Sequence, residues 1–133
     1  MGMGIAAYAT SGAITVAGST VIPLAIATTT PTTTITGMNN GVYLPAGTYL
    51  VGYGATALTA ATTTAEVPLA VSLQAGGATL TGETVRDTVS ATTYGNVAKT
   101  IVYNSTGTYL TLANDSAEAM EFDNAYITAV RLA

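Results

Sequence analysis

The sequence predicts an antiparallel all-β sandwich, and three observations lead to this prediction. Threonine (27 residues) and alanine (24 residues) dominate the composition, whereas charged residues make up only 8% of it. β-branched side chains suit a pleated strand, and the helix formers Glu, Lys, Gln and Arg are scarce. Apolar residues recur in short runs between turn residues, and no window of about eleven residues holds an apolar stripe of helical period.

The first part of the chain predicts short strands joined by turns. Residues 14–16 and 21–24 are strand-forming runs on either side of a turn-like segment. The threonine-rich stretch 28–34 contains Pro31 and is expected to form an extended edge or a loop. Residues 38–41, Met-Asn-Asn-Gly, predict a turn because Asn and Gly tolerate positive φ.

The next strand is predicted to have two unlike faces. The strand follows a turn at 45–47. One of its faces includes Leu50 and carries Gly52 and Gly54 at alternate positions. Glycine in a strand often marks a close approach by another backbone. The other face carries larger side chains: Tyr49, Val51, Tyr53 and Ala55.

The second half of the chain predicts longer strands. The clearest alternation in the chain is formed by Val67, Leu69, Val71 and Leu73. A glycine-containing turn at 75–78 leads to a return strand at 79–81, and further strands are predicted at 97–103, 108–112 and 122–132. Residues 116–121 allow one helical turn at most.

In the last predicted strand, simple alternation divides the side chains between two faces. Phe122, Tyr126, Val130 and Leu132 are predicted on one face, with Ala125, Ile127 and Ala129 among those opposite. With about eight to ten short strands, the pattern favours a jelly roll or a related sandwich.

One domain spanning residues 1–133 is expected, because a chain of 133 residues can bury a single core and nothing marks a boundary. Residues 1–12 are the part that could extend from it as an N-terminal arm. The apolar stretch 1–27 has no basic start and never reaches eighteen consecutive apolar residues. We therefore expect strand there, with no signal peptide and no membrane insertion.

Charge and composition exclude several functions. The net charge is −4, and three scattered bases, Arg86, Lys99 and Arg131, cannot neutralise a nucleic-acid backbone. The chain has no histidine and no cysteine, which removes the commonest general base, activated nucleophile and transition-metal ligands. The sequence therefore predicts a protein that is not an enzyme, has no catalytic residues and needs no cofactor.

The carboxylates are expected to be solvated charges on the surface, and two alternatives stay open. Glycoside hydrolysis requires two carboxylates across a sugar, and the candidate pairs are Glu66 with Glu83 or two members of the acidic segment 114–123. The acidic segment 114–123 is a candidate calcium loop, because calcium binds six to eight oxygens, although it does not fit the EF-hand pattern. Its four carboxylates are Asp115, Glu118, Glu121 and Asp123.

The eight tyrosines suggest buried or interface positions, since a tyrosine packs its ring while its hydroxyl reaches water. Tyr8 and Tyr94 lie outside the strongest predicted strands and are the candidates for ligand contact. Ten residues are predicted for the core or for a subunit interface: Tyr49, Val51, Tyr53, Val67, Leu69, Val71, Leu73, Phe122, Tyr126 and Val130.

Three stretches carry a family resemblance. They are LPAGTYLVGY at 44–53, PLAVSLQAGGATLTG at 68–82 and NAYITAVRLA at 124–133. Over residues 10–133 the chain resembles the trimeric jelly rolls of the tumour necrosis factor and complement globular-head superfamily. It is most similar to the bacterial and phage branch found in collagen-like exosporium proteins and in phage fibre or decoration proteins, although no Gly-X-Y repeat precedes it. The resemblance implies a homotrimer with a structural or adhesive role.

Residues 1–65 carry no charge, as a surface buried between subunits would require. The sequence and the resemblance together predict a non-enzymatic assembly protein of a phage virion (head fibre, decoration or tail-associated knob) or of a bacterial surface fibre. The expected location is the virion surface or the outside of a cell. Two alternatives stay open: a receptor- or glycan-binding tip module, and a filament in which the N-terminal stretch adds to a neighbour's sheet.

Overall fold

The computed structural model describes residues 5–30 and 33–133, which form strands and no helix. Two six-stranded antiparallel sheets pack face to face. The strands are β1 (Ile5–Ala9), β2 (Ile14–Val16), β3 (Thr20–Ile22), β4 (Ile26–Thr29), β5 (Thr36–Met38), β6 (Gly41–Leu44), β7 (Gly47–Thr59), β8 (Val67–Ala75), β9 (Ala78–Val89), β10 (Gly95–Ser105), β11 (Thr108–Asn114) and β12 (Met120–Arg131).

The first sheet has the order β4-β1-β12-β7-β10, with β2 added on β12. The second sheet has the order β5-β6-β11-β8-β9, with β3 added on β11. Each sheet therefore has a long edge strand on one side of the sandwich, β10 or β9, and a short one on the other, β4 or β5. The predicted all-β sandwich is confirmed. The twelve described strands exceed the predicted eight to ten because short strands such as β5 add to both sheets.

The core lies between the sheets and contains the side chains predicted from the alternation in β7 and β8. Tyr49, Val51 and Tyr53 of β7 are fully buried, as are three side chains of β8, namely Leu69, Val71 and Leu73. Val67, at the start of β8, is half-buried and packs against the core from its margin.

The last strand departs from simple alternation at a β-bulge between Phe122 and Asn124. The bulge inserts one residue, Asp123, so the side chains after it exchange faces. Phe122 is buried, but the buried residues beyond the bulge are Ala125, Ile127 and Ala129. The prediction that Tyr126 and Val130 share the face of Phe122 is therefore wrong. Both are half-buried on the opposite face of the sheet.

Residues 116–121, for which one helical turn at most was expected, contain none, and a buried polar cluster explains why. Asn114 has no exposed surface; its side-chain amide donates to the carbonyls of Val16 (2.9 Å) and Glu118 (3.2 Å), and its Oδ1 accepts the N–H of Ser116 at 3.1 Å. Ser116 Oγ in turn accepts the N–H of Ala70 at 2.9 Å. These bonds draw the segment onto β8 and compete with a helix.

The predicted turns have the expected backbone. Asn39 and Asn40 lie between β5 and β6 with φ of 52° and 65°, a conformation that favours Asn and Gly. Gly76 and Gly77 have φ of 59° and 89° between β8 and β9. The prediction of turns at 38–41 and 75–78 is confirmed.

Residues 5–9 form β1, which lies between β12 and β4 in the first sheet. This part of the segment 1–12 is therefore an inner strand rather than an extended arm. Residues 1–4 of that segment lie outside the described residues. Residues 28 and 29 of the threonine-rich stretch 28–34 end the edge strand β4, in line with the predicted extended edge. Residues 31 and 32 of that stretch lie outside the described residues.

Candidate functional site

The first sheet turns one face to the core and the other outward. On the inner strand β7, Leu50, Gly52, Gly54 and Thr56 point outward between the buried side chains. In register with them, the outward residues of β10, β12, β1 and β4 are uncharged; a charge comes only with the next outward pair beyond Thr56, Leu58 with Glu121. We call this surface the outer face; it consists of Thr48, Leu50, Gly52, Gly54, Thr56, Asn96, Ala98, Thr100, Val102, Asn104, Asn124, Tyr126, Thr128, Val130, Ile5, Ala7, Ala9, Ile26 and Thr28.

An apolar row crosses the outer face from one side of the sheet towards the other. Val102 pairs with Leu50, Leu50 pairs with Val130, and Val130 pairs with Ile5. Three of these four side chains are well exposed: Val102 by 62%, Ile5 by 49% and Leu50 by 40%. Neighbouring strands place such side chains about 5 Å apart, so the row is a continuous apolar strip.

The middle of the outer face is shallow because β7 lacks two side chains there. A Cβ added to Gly54 would lie 2.7 Å from the Tyr126 hydroxyl, and one added to Gly52 would lie 2.8 Å from Thr128 Oγ1. Tyr126 and Thr128 of β12 therefore lie over the two glycines. This is the close approach that the alternate glycines predicted. At Gly54 the backbone takes part as well, because the added Cβ would lie 2.6 Å from the carbonyl oxygen of Val97 in β10.

Hydrogen-bonded polar pairs lie towards both ends of the outer face. Thr48 Oγ1 donates to Asn104 Oδ1 at 2.9 Å, and Thr56 Oγ1 donates to Asn96 Oδ1 at 2.7 Å. Each bond joins β7 to the edge strand β10. The first pair borders the apolar strip, whereas the second lies beyond Gly52 and Gly54, about 20 Å from Leu50 along β7. Exposed apolar side chains next to hydrogen-bonded polar ones are common in protein–protein interfaces.

Lys99 and Glu83 lie off the outer face and form, together with Tyr53, a group of three residues that we call the edge latch. Lys99 Nζ of β10 lies 3.2 Å from Glu83 Oε1 of β9, and the Tyr53 hydroxyl donates to the same oxygen at 2.8 Å. Lys99 also donates to the carbonyl of Gly82 at 3.0 Å. The latch joins the two sheets on the side where β9 and β10 are edge strands.

Burial raises the pKa of Tyr8, Tyr49, Tyr53 and Tyr103, and for Tyr53 the hydrogen bond to Glu83 and its negative charge raise the pKa further. A tyrosine hydroxyl in the unfolded chain loses its proton at about pH 10, whereas these four tyrosines in the folded chain still hold theirs at that pH. The free energy of unfolding is therefore expected to fall as the pH rises above about 10.

Urea denaturation at several pH values from about 8 to 11 measures this effect. Tyr53→Phe removes one of the titrating groups, so its stability is expected to fall less steeply with pH, by up to about 1.4 kcal/mol per pH unit. An identical slope in the wild type and in Tyr53→Phe would contradict this account of Tyr53.

The two tyrosines predicted for ligand contact differ in burial, and the ten residues predicted for the core or an interface fall into three groups. Tyr8, a candidate for ligand contact, is only 5% exposed and its ring approaches Gly37, so it is a core side chain. Tyr94 is exposed in the loop between β9 and β10. Of the ten predicted residues, Tyr49, Val51, Tyr53, Leu69, Val71, Leu73 and Phe122 are in the core, Val67 is at its margin, and Tyr126 and Val130 are on the outer face.

The structure does not bring the candidate carboxylates together. Glu83 belongs to the edge latch, whereas Glu66 accepts a hydrogen bond at 2.9 Å from Thr88, which lies five residues beyond Glu83 along β9. That is about 17 Å of strand, compared with about 5–9.5 Å between the two carboxylates of glycosidases. In the acidic segment, Asp115 accepts from Ser72 at 2.8 Å. Within residues 5–30 and 33–133, no three acidic side chains are grouped as metal ligands.

Sequence reasoning placed Leu50 on the bare face of its strand but missed the row that it belongs to. Val102 and Ile5 were not singled out, since each is one apolar residue in an apolar run. Alternation within β10 places Val102 opposite Ile101 and Tyr103, but only the register shows that Val102, Leu50, Val130 and Ile5 are neighbours. The described part of the chain contains no helix that could cross a membrane.

No family model and no curated protein matches this chain. Among solved structures, Eiger TNF from S. frugiperda is similar with a TM-score of 0.66 at 14% identity, over 98% of this chain and 92% of that one. The globular domain of zebrafish complement 1qA protein gives a TM-score of 0.63 at 10% identity, over 96% and 95%. The fold is a jelly roll. The vertex protein P5 of PRD1 shares this jelly roll over 100% of both chains, with a TM-score of 0.50 at 20% identity.

Proposed function

We propose that the protein is a structural, non-enzymatic jelly roll that assembles as a homotrimer through the outer face of its first sheet. The apolar row carries the proposal: Val102, Leu50 and Ile5 are large apolar side chains left exposed side by side. A contiguous apolar patch with a polar margin is typical of a surface that another protein covers.

The occupant that fits this face best is a second copy of the same chain. The outer face carries no charge from Thr48 to Thr56 along β7, so three copies can bring these faces towards a common three-fold axis without burying an unpaired charge. Its asparagines already accept bonds from Thr48 and Thr56, which lowers their demand for water. A standard interface buries about 1,600 Å² in total, an area within reach of a sheet of this size.

Within this role, we propose a place in a phage virion, as a head fibre, a decoration protein or a tail-associated knob, or else in a bacterial surface fibre. The name of the PRD1 neighbour, a vertex protein, supports the virion among these alternatives. The composition supports an exposed location, because a surface rich in threonine hydroxyls and poor in charge suits an assembled particle.

Light scattering on the eluting protein at two dilutions tests the proposal. We expect three times the chain mass of 13.3 kDa at both dilutions. A monomer would contradict assembly through the outer face. A large polydisperse mass would instead support a filament by strand addition, which would require β1 to leave its place between β12 and β4.

A further inference from the structure

The turn between β5 and β6 contains the pair Asn40-Gly41, which is the only Asn-Gly pair in the sequence. A glycine has no side chain to shield its backbone nitrogen, so this nitrogen reaches the amide of a preceding asparagine more easily than that of any other residue. Asn40 is also exposed to water. The asparagines at 39, 96, 104, 114 and 124 are followed by bulkier residues, namely Asn, Val, Ser, Asp and Ala.

The fold favours both members of this pair. Met38 and Gly41 lie opposite each other across a two-residue loop, in which Asn39 and Asn40 have φ of 52° and 65°. Positive φ at both central positions is characteristic of a type I′ turn, and asparagine is among the residues that adopt it best. A Cβ on Gly41 would overlap the carbonyl oxygen of Leu110. Turn geometry therefore favours asparagine at 40, and packing admits only glycine at 41.

The folded turn keeps the reacting atoms apart. In the left-handed region the nitrogen of the next residue points away from Cβ, so the nitrogen of Gly41 is turned away from the Asn40 side chain. In a type I′ turn the N–H of the fourth residue, here Gly41, donates to the carbonyl of the first, Met38. The carbonyl of Asn40 accepts the N–H of Leu24 at 3.0 Å, which opposes rotation of the peptide between Asn40 and Gly41. An attack on the amide therefore requires the hairpin to open.

We propose that Asn40 is a site of spontaneous deamidation and that the folded β5–β6 hairpin suppresses the reaction. When the hairpin opens, the backbone nitrogen of Gly41 loses its proton and bonds to Cγ of Asn40, and the side-chain nitrogen leaves as ammonia. Water then opens the cyclic imide at either carbonyl, which yields aspartate or isoaspartate. This modification does not depend on assembly, since the hairpin belongs to the second sheet and the outer face to the first.

The isoaspartate product is expected to prevent the hairpin from closing again as before. Isoaspartate carries the main chain through its side-chain carbon, which lengthens a loop of only two residues by one methylene group. The register of a hairpin depends on the length of its loop. A longer loop displaces Gly41 against Leu110, where a Cβ already has no room, and disturbs the pairing of β6 with β11. Opening of this hairpin thus leaves a permanent chemical mark on the chain.

The test compares the full chain in buffer with the full chain unfolded in guanidinium chloride, both at the same mildly alkaline pH. Circular dichroism verifies the two states, and peptide mass spectrometry with isoaspartate detection locates the modified residue over time. In the unfolded chain we expect Asn40 to react before every other asparagine. In the folded protein we expect its rate to be lower by about tenfold or more, because only the open hairpin reacts.

Two variants in the same turn provide the controls. Asn40→Gly removes the reacting amide and keeps a residue that adopts positive φ, so the variant is expected to fold and to lose the modification at this turn. Asn39→Gly leaves the pair Asn40-Gly41 intact, and its rate in the unfolded chain is expected to match that of the wild type.

Three results would overturn the proposal. One is a faster reaction at another asparagine of the unfolded chain, and the second is the absence of any reaction at Asn40 there. The third is an equal rate at Asn40 in the folded and the unfolded protein, which would show that the hairpin gives no protection. The mass of the assembled, unmodified protein is measured separately, so failure of this proposal leaves the assembly result untouched.

Discussion

Leu50→Glu is expected to convert the assembled protein into folded monomers of 13.3 kDa. Leu50 lies in the middle of the apolar row, between Val102 and Val130. In the assembled state each copy would bury one unpaired carboxylate, and removing a charge from water without a partner costs several kcal/mol per copy. In the separate chain the same side chain remains accessible to solvent, so the fold tolerates it.

Light scattering with circular dichroism separates the two effects, because mass reports assembly and the spectrum reports the fold. Val102→Glu repeats the change at the most exposed position of the row and is expected to act in the same way. Thr81→Glu places the same charge on the exposed part of β9, in the second sheet, and is expected to leave the mass unchanged. Equal masses for the wild type, Leu50→Glu and Thr81→Glu would show that the outer face is not the interface.

Asn114→Ala is expected to lower the free energy of unfolding by about 3–5 kcal/mol. The substitution removes a side chain with no exposed surface that bonds to Val16, Glu118 and Ser116. It leaves several buried backbone groups without their partners, and each such group carries a penalty of about 1–3 kcal/mol. The loss is large because one amide joins the β2–β3 corner to the segment before β12.

Urea denaturation measures this loss, and it is best done in the Leu50→Glu background, where assembly does not add a concentration-dependent term. Asn104→Ala provides the matched control. Asn104 is exposed and accepts one hydrogen bond from Thr48, so its removal is expected to change stability by less than about 1 kcal/mol. A similar loss in both variants would mean that the Asn114 cluster does not fix the segment.

Alternation in single strands was enough to predict the sandwich and most of its core. Tyr49, Val51 and Tyr53 are buried because large side chains alternate with small ones over an uninterrupted strand. The same reasoning failed in β12, where the bulge at Asp123 reverses the two faces. A bulge depends on pairing with β7 and leaves no mark in a local hydrophobic pattern.

The outer face and the Asn114 cluster show a second limit of sequence reasoning. The apolar row consists of four residues from four strands, and their proximity depends on the register, which pairs residues up to 125 positions apart in the chain. Asn114 looked like a surface residue of an acidic loop, but its bond to Val16 spans 98 positions. Tyr8, a candidate for ligand contact because it lies outside the strongest predicted strands, is instead a core residue, since β12 and β4 flank β1 in the sheet.

The edge latch also affects the aggregation of the chain before it assembles. β10 is an eleven-residue edge strand rich in β-branched residues, and such an edge is a template for amyloid-like stacking. Lys99 stands near its middle, held by Glu83 and Gly82, so an incoming strand would have to bury or displace a charge. Lys99 is one of only three basic residues in the chain. We expect it to hinder ordered aggregation of newly synthesised chains at this edge strand.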